Sequence, residues 1–296
     1  MSNQIHLGRD TDLTRDHWES IAASMPPAPT LFRGARPRKT MNWRFLYSRY
    51  AGQLIGCCSG EGNAHGLEFM SRLPADLNPL GTPRTGIAIS PLALYLQSRL
   101  YSEALGIRMG SEGAIVSHVA LAISDADGGV VRYENYPSTP AAYQSYSDRV
   151  VLGPKGLADK KSHIVQYKAR ITTFDGILDA MASGRAVVVG TNIPEGMTQT
   201  DSAGRFNWAG GIIGGHCYLA VDYDLDLDLI YLDNSWDNIG WGDKSGTKPR
   251  PLGVTSLSRW RAEFSDRNMS NGVSEAIVYD DDGGWSPKLL YDFSQY

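Results

Sequence analysis

The hydrophobic pattern of this chain changes character partway along its length. In the earlier part, apolar residues recur at helical spacing, as in Trp18–Met25 and most clearly in Pro91–Ala104. The later part instead carries short β-branched or apolar runs typical of strands, at Ala186–Val189, Cys217–Val221 and Leu229–Leu232. A helix-rich half followed by a strand-rich half predicts an α+β fold with two lobes, and a functional site is expected in the cleft between them.

The predicted organisation places an N-terminal appendage ahead of one larger domain. Residues 1–40 contain one amphipathic helix, ended by prolines, and then an arm rich in Pro, Arg and Gly. Residues 41–296 form the domain itself, with a helical lobe over 41–160 and a β-rich lobe over 161–296. Alternating Asp and Leu over 222–229 predict a hairpin with one wet face rather than a calcium loop.

Charge and cysteine content exclude several classes of protein. The chain has 28 basic and 32 acidic side chains, so the net charge is 28 − 32 = −4, which argues against binding to nucleic acid or anionic lipid. No apolar run reaches the roughly 18 residues of a membrane span, and the polar N-terminus is unlike a signal peptide. Three cysteines, two of them adjacent, do not form a disulfide framework. A cytoplasmic or virion-associated location is expected.

Widely separated residues carry the groups that thiol chemistry needs. Cys57 and Cys58 follow a short glycine-containing loop, His216 follows two glycines, and Asn234 follows an apolar run. A thiol attacks as the thiolate, which a helix N-terminus and a nearby imidazolium stabilise. A histidine moves the proton, and an amide carbonyl holds that histidine in one tautomer. The order Cys, His, Asn therefore predicts a nucleophilic site, with core packing of the cysteines as the alternative.

These blocks resemble those of the papain-like cysteine peptidases, in particular the compact versions of bacteria and their viruses. Gly56-Cys57-Cys58 is similar to the family's Gly-Ser-Cys, and Gly215-His216 to its Gly-His segment. Asn234-Ser235-Trp236, with Trp241-Gly242 after it, is similar to the Asn-Ser-Trp block. Asn42-Trp43-Arg44 is similar to the Asp-Trp-Arg that often opens the mature domain. The resemblance covers most of the chain and implies a papain-like fold with a strand-rich, barrel-like C-terminal lobe.

The resemblance also implies a role for each site residue. Cys58 is the nucleophile, with Cys57 as the alternative, and His216 transfers the proton. Asn234 orients the histidine, and the amide of Gln53 helps to bind the oxyanion. The implied reaction is hydrolysis of a peptide or protein substrate, without a metal or cofactor.

A further set of residues is expected to line the substrate cleft. The resemblance implies that Gly110-Ser111-Glu112-Gly113 corresponds to the Gly-rich edge that binds substrate backbone, and the expected lining residues are Gly110, Ser111, Gly113, Gly215, Trp236 and Trp241. Trp236 is expected to shield the bond between asparagine and histidine from water, and Trp241 to lie on the leaving-group side. Ordinary core packing is the alternative for both indoles.

Three features depart from the family pattern. Gln53 precedes Cys58 by five positions where the family has six, so one residue of that loop is missing. Ser59 replaces the usual aromatic residue. The helix after the nucleophile carries three glycines, each costing about 1 kcal/mol of helix propensity relative to alanine.

Other functions use the same residues. A Cys-His-polar triad also serves cell-wall amidases, endopeptidases and transglutaminases. A catalytically silent papain-like scaffold, such as a component of a phage particle with a virion or other assembly partner, is a third hypothesis. The histidines outside the motif are expected to be structural or exposed, and they are His6, His17, His65, His118 and His163.

Overall fold

A computed structural model describes most of the chain between residues 15 and 280. The described residues are 15–25, 27–28, 35–42, 53, 55–71, 88–107, 109, 112–124, 128–139, 141–142, 156, 158, 160, 167–236, 240–246, 251–270 and 272–280.

Seven helices and six strands are defined within these ranges. The helices are α1 (Arg15–Ser24), α2 (Cys58–Met70), α3 (Pro91–Ala104), α4 (Val116–Ala122), α5 (Phe174–Ala182), α6 (Leu257–Arg261) and α7 (Asp266–Ser270). The strands are β1 (Tyr167–Arg170), β2 (Val187–Pro194), β3 (Ile212–Asp224), β4 (Leu229–Asp233), β5 (Leu252–Ser256) and β6 (Glu275–Asp280). The α+β fold expected from the sequence is confirmed.

Local sequence signals set the ends of α3. The hydroxyl of Ser90 accepts a hydrogen bond from the backbone N–H of Ala93 at 3.1 Å, which caps the first turn. Pro91 follows at the first helical position, where a missing N–H costs nothing. Gly106 ends the helix in a left-handed conformation with φ 77°. The bounds predicted from the sequence are those observed.

The six strands form one sheet in the order β1-β6-β2-β3-β4-β5, and every neighbouring pair is antiparallel. The long strand β3 lies between β2 and β4, with Thr191 opposite His216 and Leu219 opposite Asp233. The β3–β4 hairpin turns over residues 225–228, so the predicted hairpin is present. The predicted wet acidic face is wrong, because Asp222 and Asp224 are 1% and 4% exposed whereas Leu227 is 64% exposed. Asp228 has a positive φ of 53° in this turn.

Each face of the sheet has its own apolar core. On one face, Cys217 and Leu219 of β3 pack in a cluster with residues of α2 and α4. On the other face, Tyr218 and Ala220 pack in a second cluster with α5 and several tryptophans. Side chains that alternate along one strand therefore serve two cores. Cys217 is 1% exposed and lies in the core, as expected.

The N-terminal arm is tied to the far end of β3. Arg36 contacts Asp179 of α5 with Nε 2.5 Å from Oδ1, and the backbone N–H of Thr40 donates to Tyr223 at 3.1 Å. The side chain of Asn42 donates to the carbonyls of Met181 and Val221 at 2.9 and 3.0 Å. The contacts with Val221 and Tyr223 lie at the opposite end of β3 from His216, and those with Asp179 and Met181 join the arm to α5.

No helix in the described ranges has the length and apolar character that crossing a bilayer requires. The predicted division of the chain at residues 40 and 160 stays a prediction. The cytoplasmic or virion-associated location of the protein also stays a prediction.

Candidate active site

The helix α2 begins at the predicted nucleophile. Cys57 is its N-cap residue and Cys58 its first residue, and both side chains are 0% exposed. Cys58 belongs to the core cluster between α2 and the sheet. Cys57 instead packs with Leu92 and Tyr95 of α3. The adjacent thiols therefore point into different parts of the lobe.

Glycines allow α2 to lie very close to its neighbours. A Cβ on Gly60 would lie 2.2 Å from the carbonyl oxygen of Pro91, and one on Gly62 would lie 2.6 Å from Sγ of Cys217. A Cβ on Gly66 would lie 2.7 Å from a methyl group of Val188. All three separations are shorter than a real Cβ contact. The glycines that weaken the helix in isolation are thus needed for its approach to α3 and the sheet.

The same contacts show how α2 is aligned with β3. Gly62 meets Cys217 and Gly66 meets Leu219, so the helix and the strand advance in the same direction. Four helical residues rise about 6 Å, close to the rise of two strand residues. Cys58 precedes Gly62 by four residues, or about one helical turn. Along the direction of β3 it is therefore at the height of Gly215 and His216.

A hydrogen bond joins His216 to Asn234. Nε2 of His216 lies 2.8 Å from Oδ1 of Asn234, and the backbone N–H of Ser235 donates to the same oxygen at 2.7 Å. That backbone donor fixes the amide with its oxygen towards the ring, since a flipped amide would oppose two donors. Nε2 of His216 must then carry the proton, and Nδ1 of the neutral ring is an acceptor.

The imidazole of His216 lies in a buried aromatic environment. Its ring stacks on the indole of Trp236 with centroids 4.4 Å apart and planes inclined by 22°. His216 is 0% exposed and Trp236 is 1% exposed. Burial lowers the pKa of His216 to about 4, and the hydrogen bond to Asn234 opposes that shift. Nδ1 is buried and has no hydrogen-bond partner among the described residues. It is therefore the nitrogen available to exchange a proton with another group.

Gln53 is anchored beside the asparagine. Its backbone N–H donates to the carbonyl of Ser235 at 2.9 Å, and its side-chain Oε1 accepts from the Ser235 hydroxyl at 2.9 Å. Because the oxygen accepts this bond, the NH₂ end of the amide is directed away from Ser235. The structure thus brings Gln53 and His216 to the same two-residue segment, Asn234-Ser235.

The remaining predicted cleft residues differ in their surroundings. The N–H of Gly113 donates to the Tyr95 hydroxyl at 3.1 Å, and its carbonyl accepts from Arg99 at 2.7 Å, so both backbone groups are engaged. Trp241 is 2% exposed, and its indole N–H donates to the carbonyl of Met197 at 2.7 Å. Gly215 is buried in β3. Gly110 and Ser111 lie outside the described residues, so their predicted roles stay predictions.

Sequence reasoning missed several polar residues near the site. Glu112 accepts a hydrogen bond from the backbone N–H of Gly56 at 2.8 Å, two residues before Cys58. His65 is buried in α2, between Glu61 of the same helix and Asp233 of β4. The available signal was the i, i+4 spacing of Glu61 and His65 after the nucleophile, a spacing too common to single out.

Comparison with known proteins is informative at the level of structure. No family model matches the chain, and no curated protein matches its sequence. Among solved structures, xylellain, a cysteine protease from Xylella fastidiosa, is 16% identical with a TM-score of 0.57, over 93% of this chain and 95% of that one. Procathepsin B S9 from Trypanosoma congolense is 12% identical with a TM-score of 0.60, over 94% and 87%.

A plant enzyme shares the same architecture. The bromelain protease from Ananas comosus, solved with the inhibitor E64, is 16% identical with a TM-score of 0.52, over 82% of this chain and 98% of that one. Identities this low establish the fold alone. With the helix α2 packed along the long strand β3 of an antiparallel sheet, the fold of this chain is the papain-like fold.

Proposed function

We propose that the protein hydrolyses peptide bonds with Cys58 as the nucleophile. His216 transfers the proton, Asn234 orients His216, and Gln53 helps to bind the oxyanion. The observation that carries this proposal is the bond from His216 to Asn234, which fixes the tautomer and leaves Nδ1 as the acceptor nitrogen of the neutral ring. The alignment of α2 with β3 supports Cys58 as that thiol.

The reaction follows from these groups. The Cys58 thiol gives its proton to Nδ1 of His216, and the thiolate adds to the scissile carbonyl carbon. The carbonyl π electrons move to oxygen, where the backbone N–H of Cys58 and the amide of Gln53 donate hydrogen bonds. Collapse breaks the C–N bond, and the amine leaves with the proton from Nδ1. Water, deprotonated by His216, then hydrolyses the thioester and restores the thiol.

Two features support the proton transfer. Cys58 is the first residue of α2, where the positive end of the helix dipole favours a thiolate. Asn234 stabilises the imidazolium as well as the neutral ring, because Oδ1 accepts the Nε2 proton in both states. Trp236 covers one face of the ring and excludes water from that bond.

A thiol-labelling experiment tests the proposal. Native protein treated with a thiol-directed epoxide should gain one adduct on Cys58 by peptide mass spectrometry and lose hydrolysis of a fluorogenic peptide library. Cys58→Ala should lose both, whereas Cys217→Ala, which removes a thiol from the same core, should keep both. Labelling and hydrolysis that persist in Cys58→Ala would refute the assignment, and loss of both only in Cys57→Ala would move the nucleophile to Cys57.

One observation favours a second hypothesis, that of a catalytically silent scaffold. Cys58 and His216 are both 0% exposed, so neither reactive atom is open to solvent in this conformation. A silent scaffold would leave Cys58 unmodified by both the epoxide and iodoacetamide under native conditions, while urea-unfolded protein is alkylated. Rapid native labelling at Cys58 would exclude it.

A further inference from the structure

A second histidine lies on α2 in a buried charged cluster. Nδ1 of His65 is 3.0 Å from Oδ2 of Asp233, and Nε2 is 3.7 Å from Oε2 of Glu61. The three side chains are 2%, 0% and 1% exposed. The separation from Asp233 is that of an ion pair, although the geometry is not that of a hydrogen bond. Two carboxylates face one imidazole, and both stabilise its positively charged form.

Stability alone does not account for these charges. Removing ionic groups from water costs several kcal/mol each, and replacing a buried ion pair with apolar side chains is often neutral or stabilising. The surrounding core contains Leu67 and Leu219, so apolar packing is available at this position. A role in arranging the neighbouring site is therefore a better explanation than a contribution to folding.

The two partners of the main contact lie on the elements that carry the site. His65 follows Cys58 by seven residues, so two turns of α2 bring both to the same face of the helix. Asp233 lies opposite Leu219, whose side chain faces α2, and side chains opposite each other in an antiparallel pair share a face. Asn234 comes next along the chain and bonds His216. Two successive residues, Asp233 at the end of β4 and Asn234 after it, thus contact His65 and His216 respectively.

We propose that His65 is a positioning residue for the site. By holding Asp233 against α2, it fixes the end of β4 and thereby the distance of Asn234 and His216 from Cys58. This inference rests on the proposed function, because it assigns a task to that same site. His65 lies two helical turns beyond Cys58 and acts through Asp233 and Asn234. A shift of about 1 Å in a reacting group can lower a rate by about 100-fold.

A double-mutant cycle tests this coupling. His65→Gln should lower kcat by about 10- to 100-fold and leave KM within about twofold, because the binding cleft is untouched. Asp233→Asn should do the same through the other partner. In the Asn234→Ala background, His65→Gln should lower kcat by less than about twofold, since the residue through which it acts is gone. If His65→Gln lowered kcat by the same factor with and without Asn234, the two residues would act independently and the proposal would be overturned.

The matched control is His118→Gln. His118 is equally buried, lies on α4 and bonds Ser102, so it lies outside the site. This variant should keep kcat. Thermal unfolding of each variant shows whether lost activity reflects lost fold; if His65→Gln is unfolded, Asp233→Asn carries the cycle.

A spectroscopic readout separates this inference from the proposed function. The ¹⁵N shifts of His216 should report a proton on Nε2 in the native protein, and His65→Gln should broaden or average them between tautomers. If native protein hydrolysed no peptide but His65→Gln still changed the His216 shifts, the peptidase proposal would be refuted and the positioning role kept. Unchanged His216 shifts in both His65→Gln and Asp233→Asn would refute the positioning role.

Discussion

The side-chain oxygen of Gln53 accepts a hydrogen bond from the hydroxyl of Ser235 at 2.9 Å, and this contact joins segments 182 residues apart. It ties the loop that precedes α2 to the residue that follows Asn234. Gln53 lies one position closer to Cys58 than in the family pattern, yet its amide is held beside the site. The shifted glutamine is therefore compatible with the oxyanion role proposed for it.

Ser235→Ala should weaken catalysis through Gln53. Loss of the hydroxyl leaves the amide free to rotate, so we expect kcat to fall about 3- to 10-fold, against about 100-fold or more for Gln53→Ala. Steady-state hydrolysis of the best library peptide provides the measurement. Ser124→Ala, which removes a hydroxyl bonded to the carbonyl of Ala120, is the control and should keep kcat. In the Gln53→Ala background, Ser235→Ala should have little further effect on kcat. A further fall in kcat as large as in the native background would contradict this account.

Trp236→Ala should raise the pKa of His216. Burial beneath the indole lowers that pKa to about 4, so admitting water should move it upwards towards 6.5. The comparison is made in a Cys58→Ala background, which removes the thiolate as a second influence. Histidine NMR titration gives the values, and the resonance of His118 in the same sample serves as an internal control. An unchanged His216 midpoint would show that Trp236 does not set its hydration.

His118 should make stability depend on pH. Burial, with a smaller contribution from His17, lowers its pKa from 6.5 to about 4. Between these values the unfolded chain binds a proton that the folded protein does not. The contribution of His118 to the free energy of unfolding is therefore complete above pH 6.5 and is lost as pH falls towards 4. It amounts to at most about 3 kcal/mol.

The test compares native protein with His118→Asn, which keeps a side-chain donor near Ser102. Urea unfolding at pH 7.0, 5.5 and 4.5 should show a shallower pH dependence in the variant. The variant should keep the remaining slope from His216, whose pKa is lowered in the same direction. Parallel curves for the two proteins would contradict the prediction.

Gly60→Ala should destabilise the protein, although alanine is the better helix former. A Cβ would lie 2.2 Å from the backbone oxygen of Pro91, which cannot move without shifting α3. We expect a loss of about 2 kcal/mol or more in the free energy of unfolding, against a gain of about 1 kcal/mol from propensity alone. Gly211→Ala is the control, because its nearest neighbour is a Glu195 carboxylate oxygen at 3.8 Å. A stabilised Gly60→Ala would mean that α2 and α3 can separate.

The sequence predicts most strongly where the signals are local. Ser90, Pro91 and Gly106 mark the ends of α3, and the run Ala186–Val189 coincides with the start of β2. His216 and Asn234 were predicted as partners, and their side chains are bonded. This pair could be anticipated because the chemistry of a thiol nucleophile demands both groups.

Contacts between distant segments could not be predicted in the same way. His65 was expected to be structural or exposed, and it is buried against Asp233, 168 residues later. No local pattern records which strand end will face a given helix turn. The glycines of α2 were likewise interpreted as a weakness of the helix, because the close approach to α3 and β3 depends on tertiary packing.

The alignment of α2 with β3 also bears on when such a protein could become active during its synthesis. The thiol at residue 58 leaves the ribosome 158 residues before the imidazole at residue 216, and Asn234 follows later still. On the proposed assignment, a nascent chain that ends before β3 carries the nucleophile without its base. That assignment would delay any cleavage, including that of neighbouring nascent chains, until translation has passed β4.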